Sequence, residues 1–160
     1  MRKYVALFLF FLLLAWCGLR IYQNIDFKRQ CGGYIDRAAI ANTIEMAQKE
    51  LGTAVKCLEE RKLTEGYTSI LYKTPDEDIG FWYGNLKASL GELQSLPTAS
   101  APLEKTNVLI KLRESLQNKG ETVYPRGISV YPVNTLYAIA GWLIPILLLI
   151  VLWSFLRDNW

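Results

Sequence analysis

Hydrophobic positions along this chain fall into three regimes. Tyr4 to Leu19 is an almost unbroken run of Leu, Phe, Ala and Val, and Val133 to Leu156 is longer and carries no charge. Between them, apolar residues recur at steps of three and four with polar residues filling the gaps. A bilayer core of about 30 Å takes about 20 apolar residues as a helix, so the second run is long enough to span. The first reaches about 19 residues when Ile21 and Tyr22 are included and Arg20 extends its guanidinium to the surface. The pattern predicts an all-α membrane protein with an N-terminal transmembrane helix (1–22), a helical extramembrane domain (23–132), a C-terminal transmembrane helix (133–156) and a short cytoplasmic tail (157–160).

Within the domain the spacing predicts three antiparallel helices and a short extended return segment. Ile44, Leu51, Val55 and Leu58, joined by Ala41, Ala47 and Ala54, form one stripe of a helix from Tyr34 to about Lys62. Its interruption is expected at Gly32-Gly33, below which it continues towards the membrane. Thr74-Pro75-Asp76-Glu77 reads as a capping box opening the second helix, with Pro75 in its first turn and acidic residues at the positive end of the helix dipole. That helix carries Ile79, Trp82, Leu86, Leu90, Leu93 and Leu96 on one face and stops at Pro97. The third begins near Ser100, carries Val108, Leu109, Leu112 and Leu116, and ends at Asn118 or Gly120. Lys119 to Pro132 alternates weakly and reads as an extended strand returning to the second span.

Charge fixes the expected orientation. Arg2 and Lys3 precede the first span and Arg157 follows the second, which puts both termini in the cytoplasm and the domain on the periplasmic or lumenal face of the cell membrane. Arg20, Lys28 and Arg29 pull the other way. Tyr131, Tyr137, Trp153 and Trp160 bracket the second span as an interfacial belt, and Pro145 is expected to kink it. The start also resembles a secretory signal, with Ala15-Trp16-Cys17 as a cleavage-like site. In the lipobox-like stretch Leu14-Ala15-Trp16-Cys17, however, Trp16 stands where a small residue belongs, and a retained anchor is expected.

From Arg20 to Val130 there are 15 Lys plus Arg against 14 Asp plus Glu, a balance of +1, with signs interspersed. Nucleic-acid binding calls for a basic stripe, so no nucleic-acid partner is expected. The chain has no histidine, which removes the commonest general base and metal ligand together; no enzyme activity, cofactor or metal is expected. Cys31 and Cys57 lack metal-ligand or redox-motif spacing. On one straight helix they would lie about 39 Å apart, far beyond the roughly 7 Å of bridged Cα atoms. Free thiols or an intermolecular bridge are therefore expected, unless the helix breaks and brings them together.

Three features bear on function. Asp76-Glu77-Asp78 is the densest carboxylate group, but consecutive helical positions diverge, so it reads as a capped first turn. Gly80, Gly84, Ala88 and Gly91 form a small-residue stripe, expected to pack against the alanine-rich first helix or to meet a partner. Phe81-Trp82-Tyr83 is spread around the helix at about 100° per residue, so one core face cannot bury all three. Trp82 belongs to the core; Phe81 and Tyr83 need cover from the Tyr67/Tyr72 connector, the membrane surface or another protein. Gly80, Phe81, Tyr83, Gly84, Tyr67 and Tyr72 are thus the candidate protein interface. The expectation is a non-catalytic accessory or assembly subunit, embedded in lipid and binding other membrane proteins as a hetero- or homo-oligomer. The alternative is a ligand-binding or sensing module without its own output domain, since a helical domain between two spans resembles the layout of chemoreceptor and sensor-kinase input domains.

Overall fold

A computed structural model describes residues 2–97 and 100–157; Trp160 of the expected aromatic belt and residues 158–160 of the expected tail lie outside them. The chain is mostly helical. Helix α1 (Arg2–Phe27) passes through a π-helical turn (Lys28–Gly32) into α2 (Gly33–Ala39), giving one helical rod of 37 residues from Lys3 to Ala39. Then come α3 (Ile44–Glu60), α4 (Ile79–Ser95), α5 (Pro102–Leu116), a minimal hairpin of β1 (Gln117–Asn118) and β2 (Glu121–Thr122), and α6 (Asn134–Arg157).

The rod's lower half and α6 are each long and apolar enough to cross a membrane, and only 6% of the most apolar stretch of either is buried. A core helix of a water-soluble domain would bury such a stretch, so lipid is the solvent these faces suit. The two helices pack on each other in opposite directions. Lys3 stands 5.6 Å above the Phe155 ring, while the Trp16 indole N–H donates to the Tyr137 carbonyl at 3.2 Å. Gly141 makes the second contact possible: a Cβ there would come within 2.7 Å of the Trp16 ring. The ends at Lys3 and Phe155 therefore lie together. α6 runs as one helix through Pro145.

The expected single helix from Tyr34 to Lys62 is instead two. The break lies at Ile40–Thr43, not at the glycine pair. Thr43 is extended (φ −131°, ψ 152°) and its hydroxyl oxygen accepts from the Met46 N–H at 3.2 Å, capping α3. Gly33 stays helical; a Cβ on it would lie 2.8 Å from the Lys28 carbonyl oxygen, so the glycine permits the wider π turn. The reversal folds α3 back along the rod and joins Cys31 to Cys57 in a disulfide with Cα atoms 5.6 Å apart. This overturns the expectation of free thiols, which rested on one straight helix. Cys17 is free and exposed.

Helices α2 to α5 pack as a bundle around that bridge. Ile35 and Ala38 of α2, Ala47, Leu51, Ala54 and Leu58 of α3, Leu86 and Leu93 of α4, and Leu112 and Leu116 of α5 are all buried together. Burying one such leucine is worth about 2 kcal/mol. Tyr124, just after β2, ties the end of the bundle to the rod. Its hydroxyl reaches the Gly32 carbonyl and the Asp36 carboxylate, and its ring meets Phe27 edge-on at 5.9 Å. Burial, then the hydrogen bond to Asp36, push its phenol well above the ordinary range.

Two further expectations change. Thr74 does not cap a helix: its hydroxyl donates to the Glu77 carboxylate at 2.6 Å, and Pro75–Glu77 forms a separate 3₁₀ turn. The N-cap of α4 is Asp78, whose carboxylate accepts from the Phe81 N–H at 3.0 Å. That N–H, more than any other group, holds the Asp78 carboxyl below the usual carboxylate range. The expected return strand from Lys119 to Pro132 is a two-residue hairpin arm followed by a 3₁₀ turn at Ile128–Val130. Gly120 (φ +85°) and Gly127 (φ +75°) supply the left-handed turns that break it.

Candidate functional site

The sequence-predicted candidates converge on α4 and the connector before it, and the fold separates them into covered and bare groups. Trp82 is half-buried against the core; its indole N–H donates to the Val123 carbonyl at 3.0 Å and its ring meets Tyr124 edge-on at 6.3 Å. Tyr83 is half-buried and its hydroxyl donates to Glu59 of α3, with the Lys87 ammonium 5.6 Å from its ring. The Tyr83 hydroxyl, followed by Lys87, keeps the Glu59 carboxyl low. Tyr83 is thus satisfied within the chain, whereas Phe81 is 68% exposed.

The connector does not cover Phe81. Tyr67 pairs by its backbone with Asp78 and lies under the Lys73 ammonium at 4.9 Å. Asp78 also raises the Tyr67 phenol above its ordinary value. Beyond Tyr67 the connector turns away from α4 towards α6, leaving Tyr72 exposed and Ile70 and Leu71 beside Ile139, Trp142 and Leu143. Tyr67 thus stays at the start of α4 through Asp78, while Tyr72 is exposed on the connector.

The small-residue stripe divides as well. Gly80 faces the connector, where a Cβ would lie 3.8 Å from Glu65 Cα. Gly84 and Gly91 have open space around them, with nothing within 4 Å of an added Cβ, and Ala88 between them is exposed. The stripe does not pack on the alanine face of α3, because that face is filled by the rod and by Leu86 and Leu93 of α4. Phe81, Gly84, Ala88 and Gly91 lie at three- and four-residue steps and so share one bare line along α4.

Beside this line runs a groove of about 440 Å³ between α4, the end of α5 and the hairpin. Phe81, Asn85 and Ser89 edge it on α4; Trp82, Leu86 and Leu116 contribute its apolar lining; Glu114 and Asn118 stand opposite. Sequence reasoning missed this groove because the hairpin forming its far wall was expected to be a straight strand. Asp76 and Asp78 sit at its upper end, and Asp78 spends its carboxylate on the cap. No group of three or more Cys, Asp or Glu gathers at metal-binding distance among the described residues. Compared with protein-family models, with curated proteins and with solved structures, the chain matches none.

Proposed function

We propose that this chain is a two-pass membrane protein of non-catalytic, accessory or assembly type, which binds another membrane protein through the bare face of α4. In this reading residues 23–132 form the ectodomain, an antiparallel arrangement of helices on the periplasmic or lumenal side, and both termini are cytoplasmic. The Cys31–Cys57 disulfide supports that side, because such bridges persist in oxidising compartments. The basic residues Lys3 and Arg157 support it too, standing at the opposite end of the spans from the bundle.

One observation carries the reading: an exposed Phe81 in line with Gly84, Ala88 and Gly91, on a helix whose other face is locked into the core. Glycine within a helix costs about 1 kcal/mol relative to alanine, and here no contact among the described residues uses the missing side chains of Gly84 and Gly91. A partner helix approaching closely would use them. The sensing alternative draws on the groove beside Phe81, large enough for a small ligand or a peptide side chain.

The test places a photo-crosslinking amino acid at position 81 of the full chain in native membranes and purifies it in mild detergent. The expected result is one discrete protein adduct, lost in Gly84→Leu and Gly91→Leu variants. A chain that stays monomeric and uncrosslinked while correctly folded overturns the proposal, and small-molecule density in the groove moves the assignment to sensing.

A further inference from the structure

The most unusual polar site in the molecule is not on α4 but where the bundle meets the two spans. A pocket of about 310 Å³ opens between the tops of α1 and α6, connector residues 68–70 and the turn at Arg126-Gly127. Arg20 and Arg126 both line it, and neither has a carboxylate partner among the described residues. The Arg20 guanidinium carbon lies 6.0 Å from the centre of the Trp16 ring and 5.8 Å from that of Tyr137. Such cation–π neighbours leave its N–H donors for an acceptor. Glu77, the one carboxylate on the wall, accepts from Thr74.

The pocket also gathers polar atoms left without a hydrogen-bond partner among the described residues. Thr68, 3% exposed, and Asn134, 7% exposed, each carry a buried oxygen with no hydrogen-bond partner, as does Ser69 beside them. All three line this cavity. Orphaned buried hydroxyls and amides cost stability, so three at one site call for an outside partner. Asn134 spends its amide N–H on the Gly127 carbonyl at 2.9 Å, which leaves its carbonyl oxygen free to accept from a ligand hydroxyl.

Below the pocket the lining becomes apolar without a gap. Ile70, Ala138 and Trp142 belong both to the pocket and to a groove of about 540 Å³ that descends α6 past Leu143 to Leu147, walled on the other side by Leu71. This groove lies on a membrane-spanning helix, so what fills it is solvated by lipid tails. A polar chamber lined by two arginines and one carboxylate, joined to an apolar groove on α6, suits one kind of molecule. The geometry points to a specific site for a single anionic glycerophospholipid. Its headgroup phosphate sits with Arg20 and Arg126, its headgroup hydroxyls meet Thr68, Ser69 and Asn134, and one acyl chain lies between Leu71 and α6. The inference rests on the two-span reading but not on the α4 partner surface; either can fail alone.

The test is native mass spectrometry of the full chain in detergent, titrated with phosphatidylglycerol and with phosphatidylcholine. One phosphatidylglycerol is expected to survive stepwise delipidation, bound about tenfold more tightly than phosphatidylcholine. Arg126→Gln, at an exposed position, and the double variant with Arg20→Gln should each lose that preference. Ala138→Trp, which blocks the junction of chamber and trough, should lose retention altogether. Lys3→Gln, at the far end of the spans, should change nothing. Folding of each variant is checked by maleimide labelling of Cys17 alone under non-reducing conditions. Equal retention of both lipids in the parent chain overturns the site as ordinary boundary lipid. Displacement of the lipid by inorganic phosphate, with Ala138→Trp silent, overturns it in favour of a free-anion site. Co-purification of a protein helix in place of the lipid also overturns it.

Discussion

The disulfide offers the sharpest test of how this domain is held together. It closes 26 residues between Cys31 and Cys57, across the reversal at Ile40–Thr43 that puts α3 against the rod. In the loop-closure account, a cross-link over 26 residues removes unfolded-chain entropy worth about 3.5 kcal/mol at 25 °C. For a domain of about 110 residues each kcal/mol moves the melting midpoint by about 4 °C, so breaking the bridge should lower it by about 14 °C. The experiment uses a Cys17→Ser background, leaving only the bridged pair, and follows helical circular dichroism with and without a thiol reductant. The Cys31→Ala/Cys57→Ala double variant should melt near the reduced protein, and reductant should not move it further. The loop-closure reasoning fails if reduction shifts the midpoint by less than about 3 °C. It also fails if Cys31 and Cys57 label freely with maleimide before reduction, for then the reversal does not bring them together.

Other outcomes follow from single contacts. Trp82→Ala should cost about 3 kcal/mol in a denaturant titration, at the low end for large aromatic truncations because the ring is half-buried. Gly33→Ala should destabilise by about 1–3 kcal/mol, since its Cβ would press on the Lys28 carbonyl, which cannot move without reshaping the π turn. Gly84→Ala should do the reverse and stabilise by up to about 1 kcal/mol, having open space and better helix propensity; differential scanning of the pair gives the opposite signs directly. Asp78 and Glu59 both have carboxyls held below the ordinary range in the folded chain, so each contributes stability above its unfolded value that is lost as pH falls through the folded one. The melting midpoint should drop on acidification below about pH 4, and less steeply in Asp78→Asn, which keeps the cap acceptor but cannot titrate.

The two helices long and apolar enough to cross a membrane were legible because about twenty apolar residues in a row have few other uses. The buried stripes of α3, α4 and α5 were legible because helical periodicity is local. What escaped reading depended on choices between neighbours. Gly32-Gly33 is a stronger breaker by composition than Asn42-Thr43, yet Thr43 caps and Gly33 stays helical, because the glycine serves a tight carbonyl approach rather than a turn. Misplacing that one break by about ten residues turned a disulfide into an apparent impossibility. Thr74 and Asp78 both suit an N-cap, and Thr74 lost because its hydroxyl was taken by Glu77. The connector's turn towards α6 was beyond reach: Ile70 and Leu71 carry no sequence mark that their neighbours are Ile139 and Trp142, some seventy residues away. The chamber beside Arg20 and Arg126 stayed hidden with it. Of the surface candidates, Phe81 and Gly84 stand bare, Gly84 without the packing on the alanine-rich helix that its stripe suggested, while Tyr83 found its acceptor inside the chain.

Continuity of the first helix from Lys3 to Ala39 makes the molecule a lever. At 1.5 Å per residue its 37 residues form an arm of about 55 Å, and the sulfur bridge bolts the bundle to the upper part of that arm. A change in tilt of about 10° at the foot sweeps the far end through about 10 Å. In a bilayer, whatever changes that tilt, whether hydrophobic mismatch or the packing of α6 against the rod, would re-aim the outer face of α4.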